Sequence, residues 1–306
     1  MKKAGALRRD LHLNGSLYLM VLPVVAFYIL FHYLPMSGVI IAFKNYKPAK
    51  GVFGSAWAGM GGFQHFHDFF TNFYFYRTLR NTLLINLYTL LFGFPAPIVF
   101  ALLLNEVKCR PFKRAVQTVS YFPHFISLVV VCGMLTEFCL SDGLFNQIRA
   151  LFGLSPKPLL QDPLLFRTIY VSSGVWQTVG WSSIVYLAAI AGIDQGLYEA
   201  AALDGAGRWR CMWHITLPGL KQTVVVLLIM QIGKMMNVSA DKIILLYNNS
   251  TMETADVISS YVYRRGLLEL NWSFSTAVGL FNSVINCALV VGANAMSRRL
   301  TESSLF

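Results

Sequence analysis

The ionisable and polar side chains of this sequence gather in a few places, and each place invites a different chemistry. His65, His67 and Asp68 stand together in "HFHDFF" and invite a metal ion. Zinc asks for three or four ligands at defined spacing with ordered surroundings, and this cluster matches no such pattern. Gln231, Lys234, Asn237 and Asp241 recur three or four residues apart in "QIGKMMNVSADKIILLYN". On one helix that spacing makes a broad polar face. Such a face is expected to turn toward the bundle interior or an aqueous cavity. The other reading is a structural pair between Lys234 and Asp241, or between Lys234 and a partner chain. A third group lies in "YEAAALDGAGRWRCMWHITLPGLKQ", where acids, bases and glycines separate two apolar stretches. Bond-making chemistry has no matching pattern. His32 and His124 lack an HExxH, no serine–histidine arrangement stands at matching depth, and no G-x-x-x-x-G-K-[ST] loop is present.

These groups need elements to hold them, and composition says which. The chain has 306 residues, 56% of them apolar and 13% charged. A soluble domain carries about 25% charge. The apolar residues come in long blocks, which makes lipid the expected solvent. The formal charge is +11, yet no dense basic stripe with interleaved aromatics appears, so nucleic acid is not an expected partner. Cys109, Cys132, Cys139, Cys211 and Cys287 form no close pair and read as small apolar residues. The basic start and the apolar run that follows lack a small-x-small cleavage site, so an uncleaved first span is expected.

A span needs about 20 residues. Six blocks meet that length, at 17–35, 80–105, 116–140, 168–190, 221–245 and 272–297. Gly93, Pro95 and Pro97 predict a kink in the second. Lysine and arginine are denser in 1–16, 106–115, 191–220 and 298–306, with "KCRPFKR" the strongest anchor. The positive-inside bias then puts both termini in the cytosol. Outside, "HFHDFF" reads as an amphipathic stretch, and 141–167 reads as a short helix, a loop and another short helix. No internal repeat or linker is seen, so one membrane domain at 17–297 is expected between two short tails. Few ionisable groups lie inside spans, and each is a functional candidate. Glu137 sits near the outer end of the third span. Lys242 is off the polar spacing and near the outer surface, where snorkelling explains it. Tyr170, Trp176, Trp181, Tyr186 and Tyr247 are the aromatic residues expected near that polar face.

Segment 191–220 therefore faces the cytosol. Asp194 is placed to cap a helix through Leu203, Gly205 and Gly207 permit a turn, and "RWRCMWHI" opens a second helix. Pro218 suits the start of the next span. An amphipathic linker on the membrane and a docking knob for a cytosolic partner both fit. Glu199-Ala200-Ala201, Gly205, Ile215, Leu217 and Pro218 reproduce a pattern that resembles the EAA signature of bacterial ABC importer permeases. "LPVVAFYILFHYLPMSGVIIAFKNY", "RNTLLINLYTLLFGFPAPIVFALLLNEV", "FKRAVQTVSYFPHFIS" and "ADVISSYVYRRGL" extend the likeness over nearly the whole chain. They resemble the lipoprotein/polysaccharide-type branch of carbohydrate-uptake permeases. One departure is Ser239-Ala240, where relatives carry glycine-phenylalanine.

The resemblance implies an all-α, six-span permease of the type I importer fold in the bacterial inner membrane. It implies no chemistry on this chain and no cofactor bound by it. Two cytosolic ATPases would hold ATP and magnesium, a second and usually different permease would complete the pathway, and an extracytoplasmic solute-binding protein would deliver an oligosaccharide. Acidic, polysaccharide-derived chains are among the candidate substrates. The ATPase-coupling residues would be Glu199, Ala200, Ala201, Asp204, Gly205, Gly207 and Arg208. The candidate pathway residues are Gln231, Lys234, Asn237, Asp241, Trp176 and Tyr186. The competing classes are a permease for peptides or other solutes, an intramembrane enzyme, and a membrane scaffold.

Overall fold

The computed structural model describes residues 13–301, and every regular element among them is helical, apart from an isolated bridge between Lys44 and Trp57. Two compact units are present. One comprises the residues up to Phe70 with Arg265–Leu280, and the other comprises Thr71–Arg264 with the residues from Phe281 onward.

In the first unit, helix α1 (Gly15–Phe43) is 29 residues long, with mean hydropathy 2.0 in its most apolar stretch and no buried residue there. A helix that is apolar all round with nothing packed on it is built for lipid. It runs past the expected end at residue 35, because Pro35 sits in a turn that tightens into a 3-10 segment, Ser37–Phe43. The chain then folds back on Lys44, which is buried; its Nζ donates to Val52 O at 3.1 Å and to Phe53 O at 2.9 Å. The "HFHDFF" stretch forms helix α2 (Gln64–Phe70). His65 Nε2 lies 3.2 Å from Lys44 O, while His67 faces Asp68 at 3.9 Å.

In the second unit, α3 (Phe75–Glu106) is 32 residues long with mean hydropathy 2.1. A π turn at Thr89–Gly93 precedes Pro95, which is how a membrane helix accommodates a residue lacking N–H. The block expected as the third span is not one straight helix. Helices α4 (Arg110–Phe125) and α5 (Leu128–Phe138) meet at 99°. Pro123 closes α4 in a 3-10 turn, and Ser127 starts a new helix by accepting from Val130 N. After α6 (Leu144–Leu151), the expected second short helix is only a turn at Leu159–Gln161. Asp162 then caps α7 (Pro163–Ala191) by accepting from Leu164 N at 2.9 Å. A hydrogen bond from Lys157 Nζ, reinforced by that backbone N–H, holds its carboxyl below the usual range.

Helix α7 carries much of the core, with Phe166, Tyr170, Val171, Gly180, Tyr186 and Ile190 buried along its 29 residues. Ahead of it in space lies a buried polar knot. Asp256, fully buried, receives Arg264 Nη2 at 2.7 Å and Arg77 Nη2 at 3.1 Å. Asn81 donates to Glu253 O and Asp256 O and accepts from Arg167 at 2.7 Å. The charge is thus paired and hydrogen-bonded, as burial demands. The longer helices that follow are α8 (Gln195–Leu203), α9 (Arg208–Gly219), α10 (Lys221–Ile232), α11 (Ala240–Leu246), α12 (Ile258–Tyr263) and α13 (Trp272–Thr301). By length and composition α1, α3 and α13 are clear membrane spans, and the bent pairs α4–α5 and α9–α10 raise the number to five among the described residues. Helix α7 has the length but is interrupted by serines, threonines and Gln177.

Candidate functional site: a cavity beside a broken helix

The expected fifth span is not one helix. Helix α10 ends at Ile232, a turn runs through Met236, and α11 starts only at Ala240. Gly233 lies against α13 so closely that a Cβ there would be 2.2 Å from Val290 Cγ2. A break in apolar surroundings must have its backbone groups satisfied by protein. Two asparagines one turn apart on α13 do this. Asn286 Oδ1 accepts from Met236 N at 3.0 Å, and Asn282 Nδ2 donates to Met236 O at 3.2 Å. Both amides also donate to Asn237 Oδ1, at 3.0 and 3.1 Å. Ser259 Oγ donates to Val238 O at 2.8 Å. Ser239 then caps α11, its Oγ accepting from Lys242 N.

The break resets the helical register, so the expected polar face is corrected. Asp241 turns outward and is exposed, while Lys242 turns inward and is only 6% exposed. Lys242 does not snorkel. Its Nζ donates to Tyr170 O at 2.8 Å and lies 4.6 Å from the centre of the Tyr170 ring. Lys234 and Asp241 form no ion pair with each other.

Beside the break lies a cavity of about 640 Å³. Of the sequence candidates, Gln231, Lys234, Asn237 and Tyr186 line it, and Asp241 and Trp176 do not. Trp176 is 47% exposed, because the wall-forming face of α7 runs through Tyr170, Gly174, Gln177, Trp181 and Tyr186 instead. The lining adds Asn86 and Thr89 from α3, Gln177, Thr178 and Ser182 from α7, and Ser239 and Lys242 beyond the break. Trp181 is held flat against His124, centroids 4.5 Å apart and planes 4° apart. Hydroxyls, amides and aromatic faces are therefore presented together, with two lysines and no aspartate or glutamate among the lining residues. Sequence reasoning missed Lys242; Ser239, a strong cap residue, was the signal for the new register.

The loop candidates sit on α8 and its joint to α9. Asp194 Oδ1 accepts from Gly196 N at 2.9 Å and caps α8. Glu199 and Ala200 are exposed on it, Ala201 is half-buried, and Asp204 ends it. Gly205 has φ +73°, a left-handed conformation that favours glycine, and Ala206 N closes the turn on Ala201 O at 2.8 Å. Gly207 has φ −74° and simply precedes Arg208, the exposed first residue of α9, so its lack of a side chain is not required by the backbone. Glu199 makes no ion pair with another described residue. Trp209 and Trp213 are exposed. A second cavity of about 620 Å³ adjoins the joint, lined by Glu106, Lys113, Gln195, Tyr198, Arg208 and Cys211 among others. No group of three His, Cys, Asp or Glu side chains among the described residues is placed to hold a metal ion.

A polar cavity beside a satisfied helix break is a transporter's architecture, and comparison with known proteins decides the family. Residues 93–302 match the family model described as binding-protein-dependent transport system inner membrane component. The chain belongs to this family. The inner membrane component is 43% identical to Protein LplB of Bacillus subtilis (strain 168) over 303 residues, 99% of this chain and 93% of that protein. It is also 43% identical to the polygalacturonan/rhamnogalacturonan transport system permease protein YteP of the same organism, over 95% of this chain and 90% of that one. Among solved structures it resembles a chain of a bacterial alginate ABC transporter, crystallised in complex with an alginate pentasaccharide-bound periplasmic protein. The TM-score is 0.89 at 42% identity, covering 97% of this chain and 99% of that chain. A second crystal structure, of a bacterial ABC transporter involved in the import of the acidic polysaccharide alginate, gives 0.89 at 43% identity, with the same coverage. This inner membrane component is thus an all-α, multi-spanning permease subunit of an ABC importer, with a transport role rather than an enzymatic one.

Proposed function

We propose that this permease moves acidic, polysaccharide-derived oligosaccharides inward, taking them from an extracytoplasmic solute-binding protein. The observation that carries this is the lining of the 640 Å³ cavity, rich in amides, hydroxyls and aromatic faces and bearing lysines without carboxylates. Similarity to permeases named for polygalacturonan/rhamnogalacturonan and alginate supports the same substrate class. Gln231, Lys234, Asn237 and Tyr186 then act as pathway residues. Trp176 and Asp241 lie off the cavity and are not used in this reading.

In this reading a second homologous permease completes the pathway, and two cytosolic ATPases bind ATP and magnesium. Helix α8 and its joint dock on one ATPase: Glu199 pairs with a basic group there, Ala200 and Ala201 allow close approach, and Gly205 makes the turn. Asp204, Gly207 and Arg208 flank that contact. ATPase closure rocks the membrane halves and alternates access. The layout is six spans at 17–297 with both tails, 1–16 and 298–306, in the cytosol. In a cysteine-free background, a cysteine at exposed Ser250 should label from outside. One at Ser303, outside the described residues, should not, and reversed labelling would sink this orientation.

The substrate test is uptake by the reconstituted transporter with its binding protein. Radiolabelled uronate oligomers should accumulate in an ATP-dependent way, and peptides should not. Uptake of peptides alone would favour the peptide-permease class. ATP hydrolysis without uptake of any solute would favour a scaffold.

A further inference from the structure

Lys242 holds its charge in an unusual place. It lies in the first turn of α11, is 6% exposed, and lines the cavity. An ammonium has three N–H donors. One goes to Tyr170 O, and the face of the Tyr170 ring lies alongside. No described carboxylate pairs with Lys242. The cavity lining holds no acid at all, and the other lysine, Lys234, is exposed. Opposite the ammonium stands Gly174 of α7, where an added Cβ would come within 3.4 Å of Nζ. Gly174 and Lys242 both line the cavity, and glycine places no side chain beside the ammonium.

A buried cation without a counter-charge is costly. A ligand that brings a carboxylate relieves that cost and accepts a short charge-assisted hydrogen bond. A ligand with only hydroxyls does not. Exposed Lys234 is screened by water and discriminates less.

Resting on the sugar-permease reading above, we propose that Lys242 is the specificity-determining residue for charge: its ammonium, framed by Tyr170 and Gly174, receives the carboxylate of a uronate unit as the oligosaccharide passes.

The test uses the complete reconstituted transporter and two probes, trigalacturonate and its fully methyl-esterified form, which keeps the ring hydroxyls and removes the charge. Uptake is normalised to assembled complex. Wild type should prefer the charged probe. In Lys242→Met the charged-to-neutral uptake ratio should fall by about tenfold or more, the size expected for a lost hydrogen bond to a charged group. Lys242→Arg should retain most of the preference. Gly174→Ser keeps the buried charge but crowds it, and should lower the same ratio. It decides the matter if Lys242→Met does not assemble. An unchanged ratio in Lys242→Met, or in Gly174→Ser when that variant alone assembles, would overturn the assignment while leaving the sugar reading intact. Failure of wild type to take up either probe would overturn both.

Discussion

The hydroxyls of Tyr198 and Thr216 lie 2.9 Å apart, and this bond ties helix α8 to helix α9 across the glycine joint. Thr216 is buried, 1% exposed, at the end of the π turn inside α9. Four residues later, at Leu220, α9 gives way to α10 at an angle of 57°. Helix α10 in turn runs to the break beside the cavity. In the coupling role proposed for α8, this bond is the direct side-chain link from that helix to the segment leading to the break.

Tyr198→Phe keeps the ring and removes this bond. The expected result is an assembled transporter that still hydrolyses ATP but imports less substrate for each ATP used. The direct cost of the lost bond is modest, about 1 kcal/mol, so assembly should survive. Uptake and phosphate release measured on the same vesicles check this. An unchanged ratio of uptake to hydrolysis would show that the bond plays no part in coupling.

Gly205 separates two effects that the sequence leaves joined. Its φ of +73° is unfavourable for side chains, yet an added Cβ would meet nothing within 4 Å in this chain. Strain comes from the backbone, and crowding comes only from a docked partner. Asparagine tolerates the left-handed region and valine does not. Gly205→Asn should therefore retain more substrate-stimulated ATP hydrolysis than Gly205→Val. Equal loss in both would assign the effect to crowding of the ATPase. Normal transport by Gly205→Val would reject the account of the joint.

What was legible in the sequence follows from how locally each feature is encoded. Helices α1, α3 and α13 declare themselves by hydropathy, and Asp194 and Gly205 by the chemistry of caps and turns. The break after α10 does not. A three-to-four spacing argument assumes one uninterrupted helix, and the groups that stabilise the interruption, Asn282 and Asn286, lie some fifty residues away on α13. Once the register resets at Ser239, Lys242 and Asp241 exchange their expected roles. The sequence reading favours Trp176 over Trp181 as a pathway residue, and only the packing of α7 sends Trp181 to the cavity instead. The 99° bend between α4 and α5 had a local signal in Pro123 and Ser127, but continuous apolarity outweighed it.

Helices α4 and α7 touch at Gly180. A Cβ there would lie 2.2 Å from Ser120 O and 2.5 Å from Ser120 C, both backbone atoms that cannot rotate away. Gly180→Ala must therefore push the helices apart. Overpacking of this kind costs about 1–3 kcal/mol. The thermal midpoint of the detergent-solubilised complex should fall by several degrees. Gly133→Ala on α5, where nothing lies within 4 Å, should leave it unchanged or slightly raised. Equal melting of the two variants would contradict the close contact.

Asn286 supports the break from outside it. It accepts from Met236 N at 3.0 Å and donates to Asn237 Oδ1 at 3.0 Å. Asn286→Leu conserves approximate size and removes both bonds. Met236 N–H then has no protein acceptor, and an unsatisfied buried group costs about 1–3 kcal/mol. The helix break is the part that should loosen, because Asn282 alone still holds Met236 O and Asn237 Oδ1. Hydrogen exchange read by mass spectrometry should show faster exchange for peptides spanning 233–239, with α3 and α7 peptides unaffected. A uniform rise across all helices would mean general destabilisation rather than release of the break. Unchanged protection at 233–239 would mean that Asn286 is not what holds the broken segment open beside the cavity.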